Sequence, residues 1–188
     1  IRLLPVDVDR TLVTSNPELP ETTRQALLRA KQAGIEIVLA TGRRYSRVLP
    51  LVEPLELNVP LVTASGALVK RATDHATLFR ATFNPGTLEQ CLRVIDQNGY
   101  EAVLYADTFE QGYDFYCATL DTSSAALAEF LNHNRRFGRT HAGLIAQPPA
   151  GVFAGFAMGS KPEMPVLKAE LERRLPEQLY IHVLRSPR

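Results

Sequence analysis

Two short stretches of this 188-residue chain place chemistry-bearing side chains directly after aliphatic runs. The first is Val6-Asp7-Val8-Asp9-Arg10-Thr11-Leu12, where two carboxylates one residue apart leave a hydrophobic run together. Carboxylate oxygens aimed at one point suit a hard divalent cation, and Mg²⁺ in particular takes one or two of them while keeping waters and substrate phosphate in its shell. A solvated acidic turn is the commoner fate of an Asp-x-Asp pair, so both readings stay open for this stretch alone. The second is Val38-Leu39-Ala40-Thr41-Gly42-Arg43, which ends in a hydroxyl, a glycine and a guanidinium. Placed on neighbouring strands, Thr41 lies beside Asp7, and its hydroxyl and the loop N–H groups can hold phosphate oxygens at the positive end of the following helix. Alone, this stretch reads better as a helix N-cap with a surface charge. Together the two supply aspartate, hydroxyl and anion-binding backbone, the parts of a phosphoryl-transfer site.

The elements that must position them follow from periodicity. Residues 1–6 read as a strand buried on both faces of a parallel sheet. Pro20-Glu21-Thr22-Thr23 marks a helix entrance, Ala26, Leu27, Ala30 and Ala33 follow at helical spacing, and Gly34 supplies the stop. Residues 35–40 read as a second buried strand, 45–55 as a helix and 60–64 as a third strand closed by Ser65-Gly66-Ala67. Strand, helix, strand, helix, strand is the order of a doubly wound α/β sheet, whose site is built by loops at the carboxyl ends of its strands. After residue 80 the texture changes to a helix at 85–98, strands at 102–106 and 111–118, and a helix at 123–132. A strand at 151–158, a helix at 165–175 and a final strand at 179–184 complete the chain. The expected organisation is an α/β domain over 1–80 and an α+β domain over 81–188.

Composition narrows the function classes. Hydrophobic residues make up 45% and charged residues 22%, the balance of an ordinary globular protein. Net charge is +1, divided as +3 over the first 80 residues and −2 over the rest, so neither part is a polycation made for a nucleic-acid backbone. Two cysteines, Cys91 and Cys117, are too few for a disulfide framework or a four-ligand zinc site, and a reducing cytoplasm is the expected setting. No apolar stretch approaches the roughly 20 residues of a membrane helix, and no signal-peptide pattern opens the sequence. His75, His133, His141 and His182 show no ligand spacing. The basic cluster His133, Arg135, Arg136, Arg139 and His141 reads as a solvated loop, with contact to an anionic substrate the lesser alternative. Tyr105, Phe109, Tyr113, Phe115 and Tyr116 read as cross-strand packing, and Cys117 as a small buried apolar group.

The motif Asp7-Val8-Asp9-Arg10-Thr11-Leu12, followed one helix later by Ala40-Thr41-Gly42-Arg43 and then by Ser65-Gly66-Ala67, resembles the haloacid dehalogenase-like (HAD) phosphatases. More narrowly it is similar to their Cof-type branch, which inserts a large α/β cap after the third core strand. The resemblance implies a Rossmann-like doubly wound parallel core with that cap, and an Mg²⁺-dependent phosphomonoester hydrolase acting on a small phosphorylated metabolite. In such a scheme Asp7 attacks phosphorus and forms an aspartyl-phosphate. Asp9 protonates the leaving oxygen and then activates water. Mg²⁺ is shared by the Asp7 carboxylate, the Asp9 main-chain carbonyl and a phosphate oxygen. Thr41 binds the transferring phosphate, Gly42 and Arg43 support its loop, and Ser65 and Gly66 line the pocket. Nothing selects among sugar phosphate, nucleotide and phosphorylated cofactor. Phosphomutase-type transfer uses the same Asp7 chemistry, and a noncatalytic phosphate-binding protein is the alternative for a chain that ends at Arg188.

Three positions depart from the family pattern: Arg10 stands where Gly is usual, Ser65 where Asn is usual, and Pro5 removes a donor from an expected central strand. The family's phosphate-neutralising lysine and its last acidic metal ligand fall on strands after the cap, past Arg188. The sequence also opens at Ile1 without an initiator Met, so the expectation is a longer protein. A sheet cut off here is expected to show apolar faces and an unprotected edge.

Overall fold

The computed structural model describes residues 2–9, 11–13, 19–55 and 59–184; Arg10 lies outside them. The chain divides into two compact units, Ile1–Ala81 and Thr82–Arg188.

The first unit runs β1 (Leu3–Asp7), α1 (Glu21–Gln32), β2 (Glu36–Ala40), α2 (Tyr45–Val52), β3 (Pro60–Thr63), β4 (Leu68–Arg71) and β5 (Thr77–Arg80). The five strands form one sheet in that order, β1 to β3 parallel and β4 and β5 antiparallel. Helix α1 carries Glu21 in its first turn and Arg29 and Lys31 in its last, matching the helix dipole. It stops at Gly34, whose φ of 72° turns the chain into β2. The two parallel crossovers step in one direction, which lays both helices on the same face of the sheet. Accordingly Ile37 and Leu39 of β2 are buried while Glu36 is exposed.

Among the described residues strand β1 has one neighbour, β2. It is an edge strand of this sheet, and Leu3 and Leu4 remain 53% and 38% exposed. The edge also accounts for Pro5. Arg2 accepts from Glu36 N–H and Val8 donates to Ala40 O, so the even-numbered residues face β2. Alternation then turns Pro5 outward, where its missing N–H breaks no ladder bond.

The β4–β5 hairpin was not expected. Its strands have four residues each; β5 is exposed throughout, and β4 alternates in burial but puts Lys70 on the buried side, so neither shows a period of two in its residue types. Lys70, a surface charge by type, is only 3% exposed there and donates to Thr77 Oγ1 at 2.8 Å.

The second unit runs α3 (Pro85–Gln97), β6 (Ala102–Ala106), β7 (Phe115–Cys117), α4 (Ala125–Asn134), β8 (Gly138–Thr140), β9 (Val152–Ala157) and α5 (Glu163–Arg174). Its sheet is ordered β8-β7-β6-β9. Alternation along β6 splits the core in two. Ala102, Leu104 and Ala106 join Leu88 and Leu92 of α3 and Leu167 and Leu171 of α5. Val103 joins Phe115, Cys117 and, from α4, Leu127 and Leu131. Phe130 packs between Phe115 and Phe156, with ring centroids at 5.6 and 4.9 Å. Burial pushes the Cys117 thiol up to about 11, in keeping with a packing role.

In this unit one strand forms that was not expected, the strand expected over 111–118 covers only Phe115–Cys117, and the one expected over 179–184 does not form. β8, a Gly-Arg-Thr triplet paired parallel to β7, lacks any apolar alternation that would reveal it. Residues 179–184 do alternate, with Leu179 and Ile181 partly buried against the core and Tyr180 91% exposed, yet they form no strand. A period of two records which side faces the core, whereas a strand also needs a partner edge. Among the described residues no helix is long and apolar enough to cross a membrane.

Candidate active site

The parallel register of the first unit brings three loops to one edge. Asp7 pairs with Ala40 and Ala40 with Val62, so the chain after Asp7, after Ala40 and after Thr63 emerges at the carboxyl ends of adjacent strands. The backbone ties these loops together. Thr41 N–H donates to Val62 O at 2.9 Å, Ala64 N–H to Arg43 O at 2.9 Å, and Ser65 N–H to Thr41 O at 3.2 Å. The first loop curls back at once, since Leu12 and Val13 N–H both donate to Val8 O at 3.1 Å. Val8, Leu12 and Val13 are buried, so the apolar members of the motif anchor the turn from which the two aspartates project.

The two carboxylates differ sharply in their surroundings. Asp7 is exposed, and Thr11 Oγ1 donates to its Oδ2 at a long 3.4 Å. Asp9 is held on both oxygens. Thr41 Oγ1 donates to Oδ2 at 2.7 Å, while Arg43 Nε and Nη2 both reach Oδ1 at 2.7 Å. Thr41 is only 6% exposed, its one hydroxyl proton goes to Asp9, and it accepts Arg43 N–H at 3.0 Å.

The third loop is strained. Ala64, Ser65 and Gly66 have φ of 49°, 56° and 95°, a left-handed run in which only the glycine is at ease. Ser65 Oγ is the nearest neighbour that a side chain at Gly42 would meet, at 3.6 Å.

Of the residues singled out in the sequence, Asp9, Thr41 and Arg43 are joined by direct bonds. Asp7, Gly42, Ser65 and Gly66 share their strand edge. The sequence reading gave Thr11 no role and did not foresee the Arg43–Asp9 pair. Thr11 had a signal in its four-residue spacing from Asp7; the ion pair spans 34 positions and had none. For a hard cation, Asp7 offers an exposed carboxylate, whereas Asp9, with both carboxylate oxygens engaged, offers its main-chain carbonyl. These oxygens fit Mg²⁺. Among the described residues no three His, Cys, Asp or Glu side chains converge into a metal cage, so the rest of a shell would come from water, phosphate or residues outside this set.

Other polar groups serve elsewhere. Lys70 lies on the hairpin, 5.7 Å from the Tyr45 ring. Tyr45 donates to Arg71 O at 3.1 Å, its oxygen is 2.7 Å from His75 Nδ1, and burial pushes its hydroxyl up to about 12. In the second unit Arg135 pairs with Asp121 at 2.8 Å and Arg139 lies 5.2 Å over the Tyr113 ring, both exposed.

A family model described as haloacid dehalogenase-like hydrolase matches residues 4–181. Phosphatase YwpJ of Bacillus subtilis is 33% identical over 69 residues, 37% of this chain and 24% of that protein. Pyridoxal phosphate phosphatase YbhA of Escherichia coli is 32% identical over 65 residues, 35% of this chain and 24% of that one. The matched segment thus spans about a quarter of these curated relatives. Among solved structures, a haloacid dehalogenase-like hydrolase from Bacteroides thetaiotaomicron superposes with a TM-score of 0.75 at 19% identity, covering 99% of this chain and 68% of that one. That similarity fixes the fold as α/β and Rossmann-like.

Proposed function

The chain belongs to the haloacid dehalogenase-like hydrolases, and from that premise we propose that it carries the nucleophile and the acid/base of a phosphatase for a small phosphorylated metabolite, working through an aspartyl-phosphate. The observation that carries this reading is the contrast at the strand edge: Asp7 is exposed with one long contact, while Asp9 beside it is held on both oxygens. A nucleophile must be open to the phosphorus, and an acid/base group must be held in place.

In the first step, which Asp9 enters as the carboxylic acid, an Asp7 oxygen bonds to phosphorus, the ester P–O bond breaks, and the leaving oxygen takes the Asp9 proton. In the second, Asp9 takes a proton from water, the water oxygen bonds to phosphorus, and the bond to Asp7 breaks to release inorganic phosphate. Mg²⁺ held by the Asp7 carboxylate and the Asp9 main-chain carbonyl would offset the charge between nucleophile and phosphate. The phosphate oxygens are assigned to the Thr41-Gly42 loop and to the turn at Ser65 and Gly66. Residues 82–188 are assigned to a cap that reads the leaving group, and the setting to the cytoplasm, where the free thiols Cys91 and Cys117 stay reduced. The name of the Escherichia coli relative, a pyridoxal phosphate phosphatase, supports the substrate class.

The test is phosphate release by the full-length protein from a panel of sugar phosphates, nucleotides and phosphorylated cofactors, with and without a chelator. Metal-dependent release is expected, with an acid-stable phosphoprotein trapped on quenching. Release that survives the chelator, or transfer between hydroxyls with no free phosphate, would overturn the reading.

A further inference from the structure

We infer that Arg43 is a positioning residue that acts through Asp9 rather than a ligand of the substrate phosphate, and that the strained turn at residues 64–66 braces it. The inference rests on the reading of Asp9 as acid/base given above. Nε and Nη2 of Arg43 both lie 2.7 Å from Asp9 Oδ1, and Thr41 Oγ1 lies 2.7 Å from Oδ2. Charge-assisted bonds from a planar, always-charged fork are among the strongest a carboxylate accepts. With donors on both oxygens, rotation of the Asp9 side chain out of its well breaks at least one of these bonds.

The clamp is needed because the pair is partly exposed. The Asp9 and Arg43 side chains are 41% and 35% exposed, so neither is fixed by packing. A half-exposed carboxylate without bonded partners would sample several staggered rotamers, and catalysis tolerates misplacement of little more than half an ångström.

Arg43 is in turn held by its own backbone. Its N–H donates to Thr41 Oγ1 at 3.0 Å, and its carbonyl accepts from Ala64 N–H at 2.9 Å. Ser65 N–H does the same for the Thr41 carbonyl. Both donors belong to residues at positive φ, which L side chains adopt only where the surroundings compel it. The strain thus has a function: the left-handed turn aims two N–H groups at the carbonyls of the two residues that clamp Asp9. Taking Arg43 for phosphate would cost Asp9 both N–H groups that hold its Oδ1.

The experiment compares wild type, R43Q and R43K in the full-length protein, with D7N as the reference for the underlying mechanism. Two substrate types are used: an alkyl phosphate, whose leaving oxygen needs a proton, and 4-nitrophenyl phosphate, whose leaving group departs without one. The expected result is that R43Q lowers kcat/KM, which reports the step in which the leaving group departs, about 10²-fold for the alkyl ester and by a far smaller factor for the nitrophenyl ester. R43K should fall between wild type and R43Q. Competitive inhibition by inorganic phosphate should stay within about twofold of wild type, because no phosphate contact is lost. Equal losses on both esters, or phosphate binding weakened tenfold or more, would overturn the inference. Should R43Q fail to fold, as a thermal melt would show, R43K carries the same comparison, since a lysine cannot present the Nε and Nη2 fork to Oδ1. Hydrolysis retained in D7N would instead overturn the parent reading, so the two failures are told apart.

Discussion

The two sheets of this molecule are put to opposite uses. In the first unit, β1 ends in an exposed aspartate and three polar loops leave one edge side by side, held by hydrogen bonds between loops. In the second, β6 is buried along nearly its whole length and apolar residues of three helices cover both faces of the sheet. Polar chemistry thus collects where strands end, and packing where strands are covered. Damage should therefore read as lost rate in one unit and lost stability in the other.

The largest effect expected is that of Asp7→Asn. The side chain is exposed and meets Thr11 only at 3.4 Å, so the thermal midpoint should hardly move. Turnover should fall by at least about 10³-fold, since a neutral amide is no nucleophile and residues acting as a unit fail together. A variant that lost stability but kept its rate would break the contrast at its strongest point. Leu131→Ala tests the other side: Leu131 is 0% exposed, and its truncation should cost about 2–5 kcal/mol in urea unfolding. Val166→Ala, on a residue 67% exposed in the same unit, should change stability by less than about 0.5 kcal/mol. If the two truncations cost the same, the claim that burial governs this unit is wrong.

A smaller loss is expected from Gly138→Ala on β8. A methyl there would sit 2.7 Å from Phe115 Cε2 and 2.9 Å from Leu120 Cδ2. Phe115 is 0% exposed and has little room to yield, so overpacking should cost about 1–3 kcal/mol in the same assay.

This position also shows where sequence reasoning stopped. The strand ends with Asp7, Asp9, Thr41 and Arg43 were legible because each follows an aliphatic run, and the register then carries them to one edge. Their mutual contacts were not, because the Arg43–Asp9 pair is made across strands by residues that carry no local mark of one another. Elements with strong periodicity, such as α3 and β6, emerged close to the expected ranges. The short strands β4, β5 and β8 did not, being held by neighbours rather than by their own pattern. Among the described residues β1 pairs on one side only, which goes with its accessible leucines and with the outward-facing Pro5.

The smallest effect should come from Ser65, where the two uses of the molecule meet. Its φ of 56° is a conformation that Asn tolerates better than other side chains, because the short amide can bond locally. Ser65→Asn should therefore raise stability by up to about 1 kcal/mol, read as a small rise in the unfolding midpoint. Ser65→Val should lower it, since a β-branched residue at positive φ is strained whatever space it has. The rate separates two accounts of the turn. As a brace for Thr41 and Arg43 it acts through backbone N–H groups, which Asn keeps, so the turnover of Ser65→Asn should match wild type. As a pocket wall it acts through the hydroxyl, and the same variant would then change KM for the preferred substrate while leaving the fold intact.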